Sequence, residues 1–213
     1  MTGSEILRHV DHTALKAFTS WEDIVRLCEE AIELNTASVC IPPSYIKRVH
    51  DKYSGRLDIC TVIGFPLGYS VSESKVLEAK AAIRDGAKEI DMVINIGDVK
   101  NGDYDRVEDE IRQIRDVCGG RILKVIIETC YLTREEKIRL CRIVTDAGAD
   151  YIKTSTGFGD GGALIEDVRL FKQYIGPNVK IKAAGGIGTK EAMEDFLNEG
   201  CERIGSSSAG VLK

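Results

Sequence analysis

A lysine interrupts a short apolar segment of the sequence. The segment YIKTSTGFGDGG spans residues 151–162, and Lys153 stands third in it, directly before a run of Ser, Thr and Gly. The β-branched and aromatic residues at its start predict a strand, in which successive side chains point to opposite faces. Ile152 belongs on the face that helices cover, so Lys153 belongs on the other face, inside the fold. Lysines are seldom placed there without a partner or a task.

Three more basic or acidic residues have the same inward parity in other predicted strands. They are Lys182 in VKIKAAGG (179–186), Asp91 in EIDMVIN (89–95) and Lys124 in LKVIIE (123–128). Unpaired charges inside a protein are very costly. Either these side chains form a structural network of ion pairs, or at least one lysine is neutral and reactive. The pattern by itself leaves open which lysine that would be.

A neutral lysine amine in such a place could carry out aldol chemistry. Lysine has an ordinary pKa of about 10.4, and a second ammonium together with partial burial lowers it. An amine with a pKa near neutrality attacks an aldehyde or ketone and forms a Schiff base. The iminium withdraws electrons, so the bond between the α and β carbons can break or form, while a nearby carboxylate moves the protons. Two lysines and one aspartate are therefore sufficient groups for an aldolase without a cofactor.

Two loops rich in glycine and serine predict an anion site. Residues 184–188 read AGGIG, and residues 205–208 read GSSS, each directly after a predicted strand. The backbone N–H groups of such turns and the N-terminus of a following helix bind phosphate. Thr156 and Gly157 would close the same site from a neighbouring strand. Glycines that only make tight turns are the other interpretation; for the pair of loops together we favour phosphate.

A further glycine motif suggests a nucleotide cofactor but lacks its acidic partner. Residues 157–162, GFGDGG, match the G-x-G-x-x-G pattern of dinucleotide-binding proteins, in which an acidic residue about 20 positions further on binds the ribose. The next predicted strand has Lys180 and Lys182 there instead. We therefore predict that the protein uses no nucleotide cofactor.

The elements that must position these residues alternate along the chain. β-branched runs predict eight strands, at residues 9–12, 37–41, 57–64, 89–95, 122–128, 151–154, 179–184 and 203–205. Amphipathic segments predict helices at residues 21–34, 72–85, 103–117, 134–147, 165–174 and 190–198, with one more after Pro43. Alternating strands and helices predict a parallel sheet covered on its outside. A doubly wound sheet is the alternative, but eight strands favour an α/β fold with a closed (β/α)₈ TIM barrel, formed by residues 1–213 as a single domain.

Four predicted helix ends repeat one pattern, which reads LNTASVC, DGAKEID, AGADYIK and EGCERIG. In a barrel, alternate strands supply the side chains of one interior layer. The repeat therefore predicts that Cys40, Asp91, Lys153 and Gly205 share a layer, and that Asp91 lies near Lys153.

Composition argues against several other classes of function. The chain has a formal net charge of −5, which disfavours nucleic acid and anionic membranes as partners. No apolar run approaches the ~20 residues of a membrane span. The seven cysteines show no CxxC spacing and predict reduced, buried thiols in a cytoplasmic protein. His9 and His12 lack a third partner at ligand-like spacing, so we predict no metal.

Several further residues are candidate substrate contacts. Asp11 and Thr13 stand at the end of the first predicted strand and could contact a substrate hydroxyl. Lys124 and Thr156 stand in or after strands that end near the same site. Cys40 would be a reactive thiol if it faced the site, although a packed thiol is the more ordinary role.

Eight motifs spread over nearly the whole chain resemble the deoxyribose-phosphate aldolase family. They are VDHTAL (10–15), VCIPPSYI (39–46), VIGFPLG (62–68), EIDMVINIG (89–97), LKVIIET (123–129), IKTSTGF (152–158), IKAAGGI (181–187) and RIGSSS (203–208). The pair IKTSTGF and KAAGGI is highly specific to that family. The resemblance implies a class I aldolase on a (β/α)₈ barrel. Its reaction would be the reversible cleavage of 2-deoxy-D-ribose 5-phosphate to D-glyceraldehyde 3-phosphate and acetaldehyde.

The resemblance also implies roles for individual residues. Lys153 matches the Schiff-base lysine, Lys182 matches the lysine that tunes the nucleophile and takes part in proton transfer, and Asp91 matches the proton-relay carboxylate. The phosphate-binding positions of the family match Gly157, Gly185, Gly186, Ser207 and Ser208. Some members carry a lysine directly after the STG of this loop, where the present chain has Phe158.

The predicted partners are a small sugar phosphate and acetaldehyde, without nucleic acid or membrane. We also expect a homo-oligomer, either dimer or tetramer, because small barrels commonly associate. Two other hypotheses stay open at this point. One is a Schiff-base aldolase or transaldolase for another sugar phosphate, and the other is a phosphate-binding barrel without catalysis whose inward lysines only pair with carboxylates.

Overall fold

A computed structural model describes residues 1–212 of the chain. Its eight parallel strands close into a barrel in the order β1 to β8, with β8 paired to β1. The strands are β1 Val10–Thr13, β2 Ser38–Ile41, β3 Ile59–Ile63, β4 Glu89–Val93, β5 Ile122–Ile126, β6 Tyr151–Lys153, β7 Lys180–Ala184 and β8 Arg203–Ser206. The predicted single-domain (β/α)₈ TIM barrel is therefore confirmed, and each strand differs from its predicted bounds by at most a few residues at its ends.

Helices cover the outside of this barrel within residues 1–212. They are α1 Gly3–Leu7, α2 Trp21–Leu34, α3 Ile46–Tyr53, α4 Ser72–Asp85, α5 Ile96–Asn101, α6 Tyr104–Cys118, α7 Arg134–Asp146, α8 Ile165–Tyr174 and α9 Lys190–Glu199. The short helices α1 and α5 were not predicted, because five or six residues are too few to show a helical period. Among the described residues, no helix has both the length and the apolar character that crossing a membrane requires.

Strand alternation places apolar side chains outside the barrel wall and charged ones inside it. Ile90, Met92, Ile152 and Ile181 belong to the hydrophobic core that the helices cover. Their neighbours in sequence face the interior, and the strand register sets Lys153 directly beside Lys182. The predicted inward direction follows from the two-residue period of a strand.

Local hydrogen bonds fix where several helices begin. Thr133 and Glu136 form a capping box at the start of α7. Another capping box, Ser20 with Asp23, begins α2. The predicted start of α4 at Ser72 is correct, but the capping position is Val71, which offers no side-chain oxygen.

A buried ion pair outside the barrel supports the strand that carries Asp91. Lys75 on α4 donates to Glu110 on α6 at 2.8 Å and to the backbone oxygen of Val93, at the end of β4, at 2.9 Å. Ser72 donates to the other oxygen of Glu110 at 3.0 Å. Burial lowers the pKa of Lys75 and raises that of Glu110, so each partner relies on the other to stay charged.

Glu110→Leu is expected to lower the free energy of unfolding by about 3–5 kcal/mol, because it leaves the buried ammonium of Lys75 without a carboxylate. The double variant Lys75→Met/Glu110→Leu removes both charges and should regain most of the loss, to within about 1 kcal/mol of the wild type. Denaturant unfolding at pH 7 measures both. A double variant as unstable as the single one would contradict this account.

Candidate active site

Seven ionisable side chains meet inside the barrel and form what we call the interior ion cluster. Its cations are Lys124, Lys153, Lys182 and Arg203, and its carboxylates are Asp11, Glu89 and Asp91. They come from β1, β4, β5, β6, β7 and β8, and all are buried. The four inward residues that alternation predicted are therefore brought together.

Asp91 is the common acceptor of three lysines. Its Oδ2 accepts from the Nζ atoms of Lys153 and Lys182, each at 2.7 Å, and its Oδ1 accepts from Lys124 at 2.8 Å. Burial raises the pKa of Asp91, but the three ammonium groups outweigh burial and hold that pKa well below its usual range. Because Lys153 and Lys182 share one oxygen atom, the two cationic side chains crowd each other as expected.

Asp11 takes a different place from the one that its sequence position suggested. It accepts from Lys182, Arg203 and the hydroxyl of Ser38 and is fully buried, so it lies in the cluster and does not reach the cavity. Burial lowers the pKa of Lys182, but Asp11 and Asp91 together raise it above its ordinary value. Lys182 is thereby held as a cation by two carboxylates.

Three members of this region were missed by sequence reasoning. Glu89 and Arg203 belong to the cluster, and the Sγ of Cys60 lies 3.2 Å from Oδ1 of Asp91. Glu89 is two residues before Asp91 and so has the same parity, a signal that could have found it. Arg203 likewise stands two residues before Gly205, which was predicted to face the interior, so the same alternation indicates that Arg203 faces the interior too.

The thiols of Cys40 and Cys60, on the neighbouring strands β2 and β3, are packed against each other. Cys40 pairs with Cys60 in the strand register, and both are fully buried. The hydrogen bond with Cys60 lowers the pKa of Cys40, whereas burial raises the pKa of Cys60 well above its ordinary value. Cys40, Cys60 and Asp91 also offer three ligand atoms within 4.8 Å of one another. Since three ammonium groups already bind Asp91, a divalent cation would meet strong repulsion there, and the absence of a metal stays our prediction.

A cavity of about 730 Å³ opens at the carboxyl ends of the strands, and Lys153 lies at its floor. Of the predicted site residues, those that line it are Thr13, Lys153, Thr156, Gly157, Gly185, Gly186, Ser207 and Ser208. Those that lie behind it are Asp11, Cys40, Asp91, Lys124 and Lys182. Lys153 is thus the member of the interior ion cluster that joins the cluster to the cavity.

The two loops after β7 and β8 present free backbone donors to the cavity. Gly186 has a φ of +80°, which a side chain would disfavour. Within residues 1–212, the N–H groups of Gly157, Gly186 and Ser207 donate no hydrogen bond. Ser206 ties the loops together, because its hydroxyl donates to the oxygen of Ile187 at 2.7 Å and accepts from the N–H of Ser208 at 3.0 Å. Free donors on fixed loops are what a phosphate site requires, and the anion site stays a prediction.

The loop after β6 is held by a buried carboxylate. Thr156 donates to Glu128 through both its hydroxyl and its N–H, the latter at 3.2 Å. Burial raises the pKa of Glu128, which lies two residues after β5 and has a left-handed φ of +52°. The hydroxyl of Ser155 is buried and has no partner among the described residues. Thr156 is therefore positioned by Glu128 at the rim of the cavity.

The cysteines confirm one part of the prediction and correct another. All seven are free, but Cys130 is exposed and only the other six are buried. Cys130 lies in a 3₁₀ turn, Thr129–Tyr131, that follows the last predicted strand residue of that segment. A turn residue is not part of a strand or helix with one buried face, so its side chain need not be buried. The prediction that all seven cysteines are buried is therefore wrong for Cys130.

Native protein treated with an excess of a thiol reagent is expected to lose about one thiol per chain quickly, because exposure controls access to the sulfur. Cys130→Ser should remove this rapid phase, and denaturation should release all seven thiols. Absorbance of the released reagent measures both phases. Rapid modification of Cys130→Ser would contradict the assigned burial.

Fold and site together define a (β/α)₈-barrel enzyme with a lysine at the floor of its cavity. The family model described as DeoC/LacD family aldolase matches residues 6–212, and the chain belongs to this family. The chain is therefore an aldolase, a carbon–carbon lyase, and the family resemblance stated from its motifs is confirmed.

Named relatives agree with this membership. A deoxyribose-phosphate aldolase from Clostridium botulinum (strain Alaska E43 / Type E3) is 63% identical over 214 residues, which cover 100% of this chain and 97% of the relative. The structure of an aldolase called QR15 has a TM-score of 0.93 and 38% identity, over 96% of this chain and 92% of that one. A tetrameric deoxyribose phosphate aldolase from Aeropyrum pernix has a TM-score of 0.92 and 28% identity, over 99% and 91% of the two chains.

Proposed function

We propose that this chain reversibly cleaves 2-deoxy-D-ribose 5-phosphate to D-glyceraldehyde 3-phosphate and acetaldehyde through a Schiff base on Lys153. The substrate comes from the name of the relative at 63% identity. The observation that carries the mechanism is the position of Lys153, which alone among the four cations of the interior ion cluster lines the cavity. A carbonyl group in the cavity can reach this amine without entering the cluster.

The mechanism needs one lysine of the interior ion cluster as a neutral amine, and the ion-pair contacts single out Lys153. Four cations face three carboxylates, so the fully ionised cluster has one surplus positive charge. Lys153 contacts one carboxylate, Lys182 contacts two and Lys124 contacts three. Of the three lysines, Lys153 is therefore the one whose use as a neutral amine breaks the fewest ion pairs. The resulting neutral amine is the form that attacks a carbonyl carbon.

The reaction then follows from the neighbours of this amine. Lys153 adds to the C1 aldehyde of the open-chain sugar, and loss of water gives the iminium. Asp91, with Lys182 and a water molecule, takes the proton of the C3 hydroxyl while the C2–C3 bond breaks and its electrons pass into the enamine. C3 thereby becomes the aldehyde carbon of D-glyceraldehyde 3-phosphate, which leaves the site. The enamine carbon is reprotonated, and hydrolysis returns acetaldehyde and the free lysine. Lys182 acts through Asp91, because it touches that carboxylate and not the cavity.

The phosphate of the substrate would bind at the other end of the cavity. The free N–H groups of Gly157, Gly186 and Ser207 point to this use, with Gly185 and Ser208 in the same two loops. Thr13 and Thr156 line the space between and could contact the sugar hydroxyls. No cofactor is needed for any step. We also propose a homo-oligomer and a cytoplasmic location, which both rest on analogy and composition.

Reductive trapping tests the proposed function. Borohydride added with 2-deoxy-D-ribose 5-phosphate should fix a reduced two-carbon adduct on one lysine and stop turnover. Because trypsin does not cut at a modified lysine, the adduct should appear in a peptide with a missed cleavage at Lys153. Acetaldehyde alone should give the same adduct, whereas a ketone donor such as dihydroxyacetone phosphate should not. A chain that cleaves the sugar phosphate but gains no adduct would overturn the mechanism.

A further inference from the structure

We propose that Lys16 binds the phosphate group of the substrate and thereby sets the preference for a phosphorylated sugar. This inference rests on the proposed function, since it names the cation that the phosphate would meet. Lys16 lies in the loop between β1 and α2 and lines the same cavity as the free backbone donors of the β7 and β8 loops.

The loop that carries Lys16 is fixed at several points. Ala14 donates its N–H to the oxygen of Cys40 at 3.0 Å, and Thr19 donates its N–H to the oxygen of Lys16 itself at 2.9 Å. Tyr45 donates its hydroxyl to the oxygen of Thr19 at 2.9 Å. The backbone of Lys16 is thereby tied to β2 and to the turn after it, while its side chain is exposed.

An aromatic ring holds the ammonium group over the cavity. Nζ of Lys16 lies 5.2 Å from the ring centroid of Phe158, which directly follows the proposed phosphate ligand Gly157. Phe158 is fixed in turn, because its N–H donates to Thr156 at 3.0 Å and its ring packs edge-on against Phe65 at 5.3 Å between centroids. A cation–π contact at an exposed site is weaker than a charge-assisted hydrogen bond, so a phosphate would draw the ammonium off the ring.

The other cations of the cavity already have carboxylate partners. Among the described Lys and Arg residues that line it, Arg26 pairs with Asp23 and Lys153 pairs with Asp91. Lys16 forms no ion pair within residues 1–212. Backbone donors bind a phosphate dianion but do not balance its charge, and the chain as a whole has a net charge of −5. Lys16 is therefore the cavity cation that is available to an incoming phosphate.

The test compares one variant on two substrates. Lys16→Met keeps an unbranched apolar side chain against Phe158 and removes the charge. For 2-deoxy-D-ribose 5-phosphate, we expect kcat/KM to fall about tenfold, which corresponds to about 1.4 kcal/mol, mainly through a higher KM. For 2-deoxy-D-ribose without phosphate, kcat/KM should change by less than about twofold, because the reacting carbons are untouched. Inorganic phosphate should inhibit cleavage of the free sugar about tenfold more weakly in the variant than in the wild type.

Two further variants complete the test. Lys16→Arg should recover most of the preference, and Lys180→Met, which removes an equal charge at the opposite end of the barrel, should leave both substrates unaffected. Equal loss on both substrates, or no loss on the phosphorylated one, would overturn the role of Lys16 while the wild-type activity keeps the proposed function intact. A wild type that cleaves neither substrate would overturn the proposed function, and this inference with it.

Discussion

Replacement of Lys153 by arginine is expected to lower kcat/KM for cleavage of 2-deoxy-D-ribose 5-phosphate by at least about 10⁴-fold. Arginine keeps a positive charge beside Asp91, so the interior ion cluster retains its ion pair. A guanidinium group is not deprotonated in proteins and cannot form a Schiff base. The variant should therefore fold while it loses covalent chemistry. A coupled assay of acetaldehyde release measures the loss, and denaturant unfolding measures the fold.

Borohydride trapping of the same variant separates the two lysines that the sequence pattern left open. If Lys153 is the nucleophile, Lys153→Arg should gain no adduct from acetaldehyde on any peptide. Lys153→Met is a second control, which has no charge at this position, and it should also gain no adduct. An adduct on the peptide that contains Lys182 would show that Lys182, and not Lys153, forms the Schiff base. Retained turnover of either variant would contradict the mechanism altogether.

Asp91→Asn is expected to lower kcat by about 10²–10⁴-fold, because it removes the carboxylate that we propose as the acceptor of the C3 hydroxyl proton. It also removes the common acceptor of three buried ammonium groups. Loss of one partner of such a buried set costs about 3–5 kcal/mol in the free energy of unfolding. Both effects should appear together, the first in steady-state kinetics and the second in denaturant unfolding.

A control variant distinguishes a chemical role of Asp91 from simple loss of stability. Glu110→Leu breaks a buried ion pair of similar expected cost outside the barrel wall, where it touches neither the cluster nor the cavity. At a temperature where both variants are folded, Glu110→Leu should keep kcat within about threefold of the wild type, whereas Asp91→Asn should not. A kcat of Asp91→Asn equal to that of the control would remove Asp91 from the proton path.

The shared oxygen of Asp91 joins the proposed nucleophile, Lys153, to a structural network of ion pairs. The ammonium of Lys182 contacts two carboxylates, Asp11 and Asp91, and it lies next to Lys153 in the strand register. Lys124 and Arg203 bind the remaining carboxylate oxygens deeper in the barrel. In the proposed mechanism, the interior ion cluster would thus offer the amine of Lys153 to the cavity while its other charged groups stay paired.

The barrel and the inward direction of Lys153, Lys182, Asp91 and Lys124 could be predicted from the sequence. Both depend on local periods: a two-residue alternation in strands and an amphipathic pattern in helices. The same alternation, applied to Glu89, would have added this residue to the predicted set of inward side chains. The motifs of the strand ends also sufficed to recognise the aldolase family, because they preserve the chemistry of the site.

What only the tertiary structure decided is which side chains meet. Closure of β8 onto β1 brings Arg203 to Asp11, residues that lie 192 positions apart in the chain. The stagger of the strands places Asp11 behind the cavity and Lys153 at its floor. Alternation along a strand predicts which face a side chain takes, but not how deep in the barrel it lies. The loops carry no period at all, so neither the exposure of Cys130 nor the contact of Lys16 with Phe158 could be foreseen. Sequence alternation determines the face of a side chain, whereas its partners depend on contacts that form only when the barrel closes.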